Sequence, residues 1–147
     1  MSIEIPTQVV FYKIERAIKE YRKYAQKRIS ETVSDITVDQ GLILLFLKHY
    51  PELSQKEIAA LVFKDNASMT RMIDLMVKKQ YLVRSTHSED RRRYNIEITT
   101  KGKKILEKLP PVIMKNRTTA LEGITEEEID QVEKILDKII TNCTTNQ

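Results

Sequence analysis

Midway along this chain the spacing of apolar residues switches period, and that switch limits the folds open to it. Between Asp65 and Lys79, Met69, Met72/Ile73 and Met76/Val77 recur at steps of three and four, which marks one buried face of a helix. Between Tyr94 and Ile98 the pattern becomes strict alternation, with Tyr94, Ile96 and Ile98 set against Asn95 and Glu97. That is the period of a half-buried strand. Tyr81 to Arg84 is a plausible antiparallel partner. The loop between them, Ser85 to Arg93, is longer than a tight hairpin needs and holds Asp90, Arg91, Arg92 and Arg93. A hairpin this small is marginal alone and must lie on helices. The expected class is mainly α with a small antiparallel β-hairpin.

The flanking sequence supplies the helices. From Thr7 to about Val33, Val10, Ile14, Ala17/Ile18, Tyr21, Ala25 and Ile29 form one apolar stripe opposite a charged face. A helix this long with a single stripe needs a partner outside its own small core. Thr37 to Gln40, Ser54 to Glu57 and Thr125 to Glu128 each read as a capping box that starts a helix. Leu42 to Leu47 is apolar nearly all round, so its helix is buried and ends at His49-Tyr50-Pro51. The short helix with Ile58, Leu61 and Val62 facing inward stops at Lys64, and Asp65 or Asn66 can cap the next. Two short helices joined by a tight turn make a helix-turn-helix, which presents the N-terminal half of its second helix to base edges. With the hairpin packed against it, the unit becomes a winged helix. Thr99-Thr100 begins another helix, which Pro110-Pro111 is expected to kink or break.

Net charge is +4, and its placement is more informative than its size. Residues 64–93 carry eight Lys/Arg against four Asp/Glu, while the rest of the chain carries 17 of each. The entire positive excess therefore sits on the helix-and-hairpin stretch, an electrostatic footprint for a polyanion. Residues 121–140 are the opposite, with two Lys against seven Asp/Glu. The single cysteine, Cys143, excludes an intrachain disulfide and fits a reducing compartment. Residues 1–6 lack the basic region and apolar run of a signal peptide, and no apolar run is long enough to span a bilayer. A soluble cytoplasmic protein without membrane association is expected. Two histidines, His49 and His87, without a cysteine cluster offer no metal site. No phosphate-cradling glycine loop or nucleophile elbow suggests an enzyme, and no cofactor is expected.

Asp90-Arg91-Arg92 followed by Ile98-Thr99-Thr100-Lys101-Gly102 resembles the wing-to-helix motif of the MarR family of bacterial transcription regulators, Asp-x-Arg and then hydrophobic-Thr-x-x-Gly. Thr70-Arg71, Leu53-Ser54 and Lys78-Lys79 before Tyr81-Leu82-Val83-Arg84 match as well, and the similarity covers nearly the whole chain. The resemblance implies a homodimer, with residues 1–35 and 101–147 as dimerisation helices around a winged helix-turn-helix at 36–100. It implies a repressor that binds double-stranded DNA at a near-palindromic operator. Arg92 would reach the minor groove from the wing, flanked by Arg91 and Arg93 on phosphates. Asn66, Ser68, Thr70 and Arg71 would face the major groove, and Lys78 or Lys79 the backbone. Asp65 and Asp90 would orient the wing, with an Asp65–Arg92 contact in at least one state.

Family members often bind small aromatic acids between the dimerisation helices and the winged helix. Phe11, Tyr12, Tyr21 and Tyr24 either line such a pocket for an aromatic or phenolic effector or belong to the core or dimer interface. Gln80 stands where the family usually has a glycine, in a position suited to left-handed backbone. A different class of function also fits the pattern: a helical module that uses its winged helix to bind protein instead of DNA.

Overall fold

The computed structural model describes residues 5–86, 89 and 94–147, and the chain divides into two compact units, Met1–Asn116 and Arg117–Gln147. After a 3-10 turn at Pro6–Gln8, the first unit contains α1 (Val10–Thr32), α2 (Val38–His49), α3 (Gln55–Leu61), α4 (Asn66–Lys78), β1 (Leu82–Thr86) and β2 (Tyr94–Ile98). Helix α5 (Thr100–Ala120) follows the hairpin. The second unit holds α6 (Glu126–Thr145).

Local chemistry starts these helices where the sequence suggested. Thr37 and Gln40, Ser54 and Glu57, and Thr125 and Glu128 form complete capping boxes at α2, α3 and α6. Asp65 caps α4 by accepting from the Ser68 N–H at 2.7 Å. Thr99 Oγ1 accepts from the Gly102 N–H at 3.0 Å at the start of α5. Each such cap is worth about 1 kcal/mol.

The core of the first unit is made where α2, α3, α4, the hairpin and α5 turn their apolar faces together. Ile43, Leu44, Ile58, Met69, Ile73, Met76 and Leu109 are completely buried. Full burial of one such side chain contributes about 1.5–3 kcal/mol, so this cluster holds the unit together. Asp39 fastens α1 and the turn after α3 to α2: it pairs with Arg22 and, at 3.3 Å, with Lys64. Gln26 closes the link from α1 to α2, accepting from the Val38 N–H at 2.8 Å and donating to the Ile36 carbonyl at 3.1 Å.

Of the kink or break expected at the prolines, the break does not occur: α5 continues as one helix through Pro110 and Pro111. Both rings lie at exposed positions, while Leu106 and Leu109 anchor the same turns of helix in the core. Tertiary packing outweighs the two backbone donors the prolines lack.

The strands pair antiparallel in a register that sets Leu82 against Ile98, Arg84 against Ile96 and Thr86 against Tyr94. β1 begins and ends later than the Tyr81–Arg84 expected from sequence. Gly102 is obligatory at the join between hairpin and α5. A Cβ there would lie 2.4 Å from the Tyr81 carbonyl oxygen and 2.8 Å from Ile98 Cγ2. The same carbonyl accepts from the Thr99 N–H at 3.1 Å, and the Thr99 hydroxyl donates to the Gln80 carbonyl. Gln80 itself has φ of 68°, the left-handed geometry anticipated from the glycine it replaces.

In the second unit Gly123 adopts φ of +80° in the link before α6. Helix α6 begins with Glu126, Glu127 and Glu128 at the positive end of its dipole. It buries no residue, and Val132, Ile135 and Ile140 remain more than half exposed.

Candidate nucleic-acid interface

Helices α3 and α4 and the turn between them form a helix-turn-helix. The turn is tight enough to put Phe63 at φ of 59°, with its ring 91% exposed. Helix α4 turns Met69, Ile73 and Met76 inward. At the complementary helical spacing Asn66, Thr70, Arg71, Asp74 and Lys78 stand exposed, and Ser68 is half-buried. The result is a polar, hydrogen-bonding surface on a rigid element, with a dipole end that favours anions nearby.

The expected contact residues are not all presented alike. Arg71 lies along the surface and donates to Ser68 Oγ at 3.2 Å. The Thr70 hydroxyl donates to the Asn66 carbonyl at 2.9 Å and accepts from Gln55 Nε2 at 2.8 Å. Lys78 is exposed and makes no ion pair among the described residues. Lys79, in contrast, is engaged by the α1–α2 link: its ammonium pairs with Asp35 Oδ1 at 3.1 Å and donates to the Asp35 carbonyl at 3.2 Å. Asp65 is held below the ordinary carboxylate range, first by the Ser68 backbone N–H, then by the Ser68 side chain, with Arg71 adding a favourable charge. Asp90, Arg91, Arg92 and Arg93 lie outside the described residues, and so does the anticipated Asp65–Arg92 contact.

Arg84 is the residue that sequence reading missed. It closes the strand expected at Tyr81–Arg84, and the register puts it on the same face of the hairpin as buried Leu82 and Ile96. Its guanidinium pairs with Asp74 of α4 and donates to Gln55 Oε1 of α3 at 3.3 Å. Because Gln55 also donates to Thr70, one arginine ties the base of the hairpin to both helices of the helix-turn-helix. Arg84 Nε is buried and unpaired among the described residues. The signal was an inward arginine on a period-two strand, which demands a carboxylate partner.

The aromatic residues proposed for an effector do not converge. Phe11 and Tyr12 are exposed on the first turn of α1, and Tyr21 is half-buried. A cleft of about 700 Å³ opens elsewhere, among Leu47 of α2 and Pro51 just beyond it, Ile96 and Ile98 of β2, and Leu106 and Pro110 of α5. A second, of about 410 Å³, includes Tyr24 in its wall. Neither is lined by Phe11, Tyr12 or Tyr21.

A capped, polar-faced second helix clamped to a two-stranded hairpin makes a winged helix-turn-helix, the geometry that presents a second helix to a duplex groove. Residues 36–94 match the sequence model of the MarR family. Solved structures share the fold over almost the full chain. MepR of S. aureus, in complex with DNA, is 24% identical and covers 92% of this chain and 99% of its own, with a TM-score of 0.82. BpsR of Bordetella bronchiseptica, whose DNA binding is regulated by 6-hydroxynicotinic acid, is 18% identical, with coverage of 94% and 97% and a TM-score of 0.80. MarR of E. coli without ligand is 22% identical, with coverage of 93% and 98% and a TM-score of 0.73. Among the described residues, no helix is long and apolar enough to cross a membrane.

Proposed function

We propose that this protein is a cytoplasmic bacterial repressor that binds a near-palindromic operator as a homodimer and is released by a small ligand. The observation that carries the reading is the exposed polar face of α4, fixed by Arg84 beside a hairpin in the stretch that holds the chain's positive excess. Asn66, Ser68 and Arg71 are assigned to base edges in the major groove, with Thr70 reaching them only by giving up its bond to Gln55. Lys78 contacts phosphate, whereas Lys79 is assigned to holding α4 on the α1–α2 link. From the wing, Arg92 enters the minor groove, Arg91 and Arg93 meet phosphates, and Asp65 and Asp90 orient the loop. Residues 1–35 and 101–147 pair with those of a second copy, so that two residue 36–100 readers lie about one duplex turn, roughly 34 Å, apart.

The DNA complex of MepR supports duplex binding by this fold, and the response of BpsR to 6-hydroxynicotinic acid supports ligand control. The cleft of about 700 Å³ against Ile96 and Ile98 suits an effector, because a molecule seated there presses on the strand that carries the wing. The test is duplex selection from a random pool, followed by binding to the selected duplex as salt is raised. Affinity that falls steeply with salt, and falls sharply in Arg92→Ala while the dimer and its melting temperature persist, supports the reading. Absent or salt-insensitive duplex binding overturns it in favour of a protein-binding module.

A further inference from the structure

Gln55, the first residue of α3, holds hydrogen bonds at both ends of its side-chain amide. Its Oε1 accepts from Arg84 Nη2 of β1 at 3.3 Å, and its Nε2 donates to Thr70 Oγ1 of α4 at 2.8 Å. Arg84 also pairs with Asp74, which lies one helical turn beyond Thr70 on α4. Thr70, Gln55, Arg84 and Asp74 thus form a closed ring of side chains drawn from α4, α3 and β1. Chemistry sets the direction of its bonds. A guanidinium only donates, so the end of the Gln55 amide that faces Arg84 is its oxygen, and the end that faces Thr70 is its nitrogen. Thr70 Oγ1 must then accept there, and its own hydrogen goes to the Asn66 carbonyl at 2.9 Å.

Thr70 is exposed on the polar face of α4, yet both bonds of its hydroxyl lead back into the protein. The oxygen reaches a base only by letting go of Gln55. The γ-methyl is under no such restraint. It is the other group on Cβ, and with the oxygen fixed it occupies a single staggered position. In the major groove a threonine methyl has a matching partner in the C5-methyl of thymine, which no other of the four bases carries.

We propose that Gln55, pinned by Arg84, is a positioning residue that makes Thr70 a reader of thymine, through its methyl group and without a hydrogen bond. Each half-site of the bound duplex then carries one thymine recognised by its C5-methyl. The assignment rests on duplex binding by α4, proposed above, and adds a base identity to it.

Fluorescence anisotropy of the full-length protein with the duplex selected from the random pool tests it, each thymine in turn being replaced by deoxyuridine in both half-sites. That exchange removes the methyl and leaves every hydrogen-bonding group in place. At one thymine, wild type should lose about tenfold in affinity, the effect of two methyl contacts. Thr70→Ser should bind both duplexes alike, whereas Thr70→Val, which keeps the methyl and lacks the hydroxyl, should keep the preference. Gln55→Leu frees the Thr70 side chain and should cut the preference to about twofold or less. Gln55→Glu accepts from both Arg84 and Thr70 and should restore it, while its charge lowers affinity for both duplexes. Each preference is a ratio measured on one protein, so a general loss of stability or affinity cancels. Unchanged preference in Gln55→Leu, lost preference in Thr70→Val, or no thymine whose methyl matters to wild type each overturns the proposal and leaves duplex binding intact. Failure to bind any duplex overturns the reading beneath it, and the proposal with it.

Discussion

Helices α4 and α6 are built by the same local rules and end in opposite situations. Both are amphipathic, and both are started by a side-chain cap. Yet α4 buries Met69, Ile73 and Met76 completely, whereas α6 buries nothing and leaves Val132, Ile135 and Ile140 at 53–57% exposure. The apolar face of α4 is used up inside its own chain, so what remains to interact is its polar face. In α6 the acids are solvated, and what remains is an apolar stripe of the kind that marks a protein interface. Amphipathicity alone tells neither helix's task; the neighbours of the apolar face do.

The largest expected effect tests that contrast directly. If the α6 stripe is the seam with a second copy, Ile135→Glu combined with Ile140→Glu should raise the dimer dissociation constant at least a hundredfold. That corresponds to about 2.7 kcal/mol. Sedimentation equilibrium reads the change, and the monomer should keep the circular dichroism of a folded winged helix. The same charge placed in α4, as Ile73→Glu, should abolish the folded state instead, because a buried unpaired carboxylate is not tolerated. An α6 double variant that stays dimeric at micromolar concentration breaks the comparison.

Next in size is the hinge between reader and flank. Gly102→Ala drives a Cβ into the Tyr81 carbonyl, a backbone atom that cannot swing aside. Overpacking of this kind costs about 3 kcal/mol, and urea unfolding should show it as a lower midpoint with unchanged slope. A loss under 1 kcal/mol would mean that the hairpin can shift on α5, and that the join is softer than it looks.

Arg84→Met removes the polar brace from the hairpin to α3 and α4 while keeping the aliphatic stem. It also leaves Asp74 and Gln55 without their partner. Stability should fall by about 1–2 kcal/mol, and operator affinity should fall by more than stability alone explains, since the wing loses its fixed angle to α4. Equal affinity in the variant, measured by fluorescence anisotropy at physiological salt, would show that the wing is positioned by something else.

These cases also mark what a sequence makes legible. All three capping boxes were readable because their chemistry spans four residues. The alternation that identified β2 and the left-handed position at Gln80 were equally local. The break at Pro110-Pro111 was a sound local inference overruled by Leu106 and Leu109 in the core. The roles of Arg84 and Lys79 were hidden because their partners, Asp74 and Asp35, lie 10 and 44 residues away, and spacing carries no pairing information at that range. The exposed polar face of α4 was therefore legible in the sequence, and the Arg84 brace beside it was not.

A smaller effect of opposite sign comes from Gln80, at φ of 68°. Left-handed backbone costs a side-chain-bearing residue about 1–2 kcal/mol, and glycine gives back part of that in unfolded-state entropy. Gln80→Gly should therefore stabilise the protein by about 0.5–1 kcal/mol, seen as a rise in thermal midpoint. A fall would indicate that the Gln80 side chain makes the end of α4 stronger than its backbone makes it weak.

The smallest effect returns to the two helix starts. Asp65 at α4 and Glu128 at α6 are both held below the usual carboxylate range, by the backbone N–H of Ser68 and of Thr125 respectively. A folded pKa below the unfolded value means that the charged form binds the folded state better. The stabilisation is thus fully present above the unfolded pKa, about 3.9 for Asp and 4.3 for Glu. It is lost as pH falls through the lower folded value. Asp65→Asn keeps a competent cap without the charge, so wild type should be the more stable at neutral pH and the two should converge on acidification. Glu128→Gln should behave the same way in unfolding, because its capping box is equally local. The two variants should differ only in duplex binding, where Asp65 borders the α4 surface and Glu128 belongs to the other unit. Loss of operator affinity at neutral pH in Asp65→Asn but not in Glu128→Gln would assign the α4 carboxylate a part in orienting the wing. Equal affinity in both would reduce it to a helix cap like its counterpart in α6.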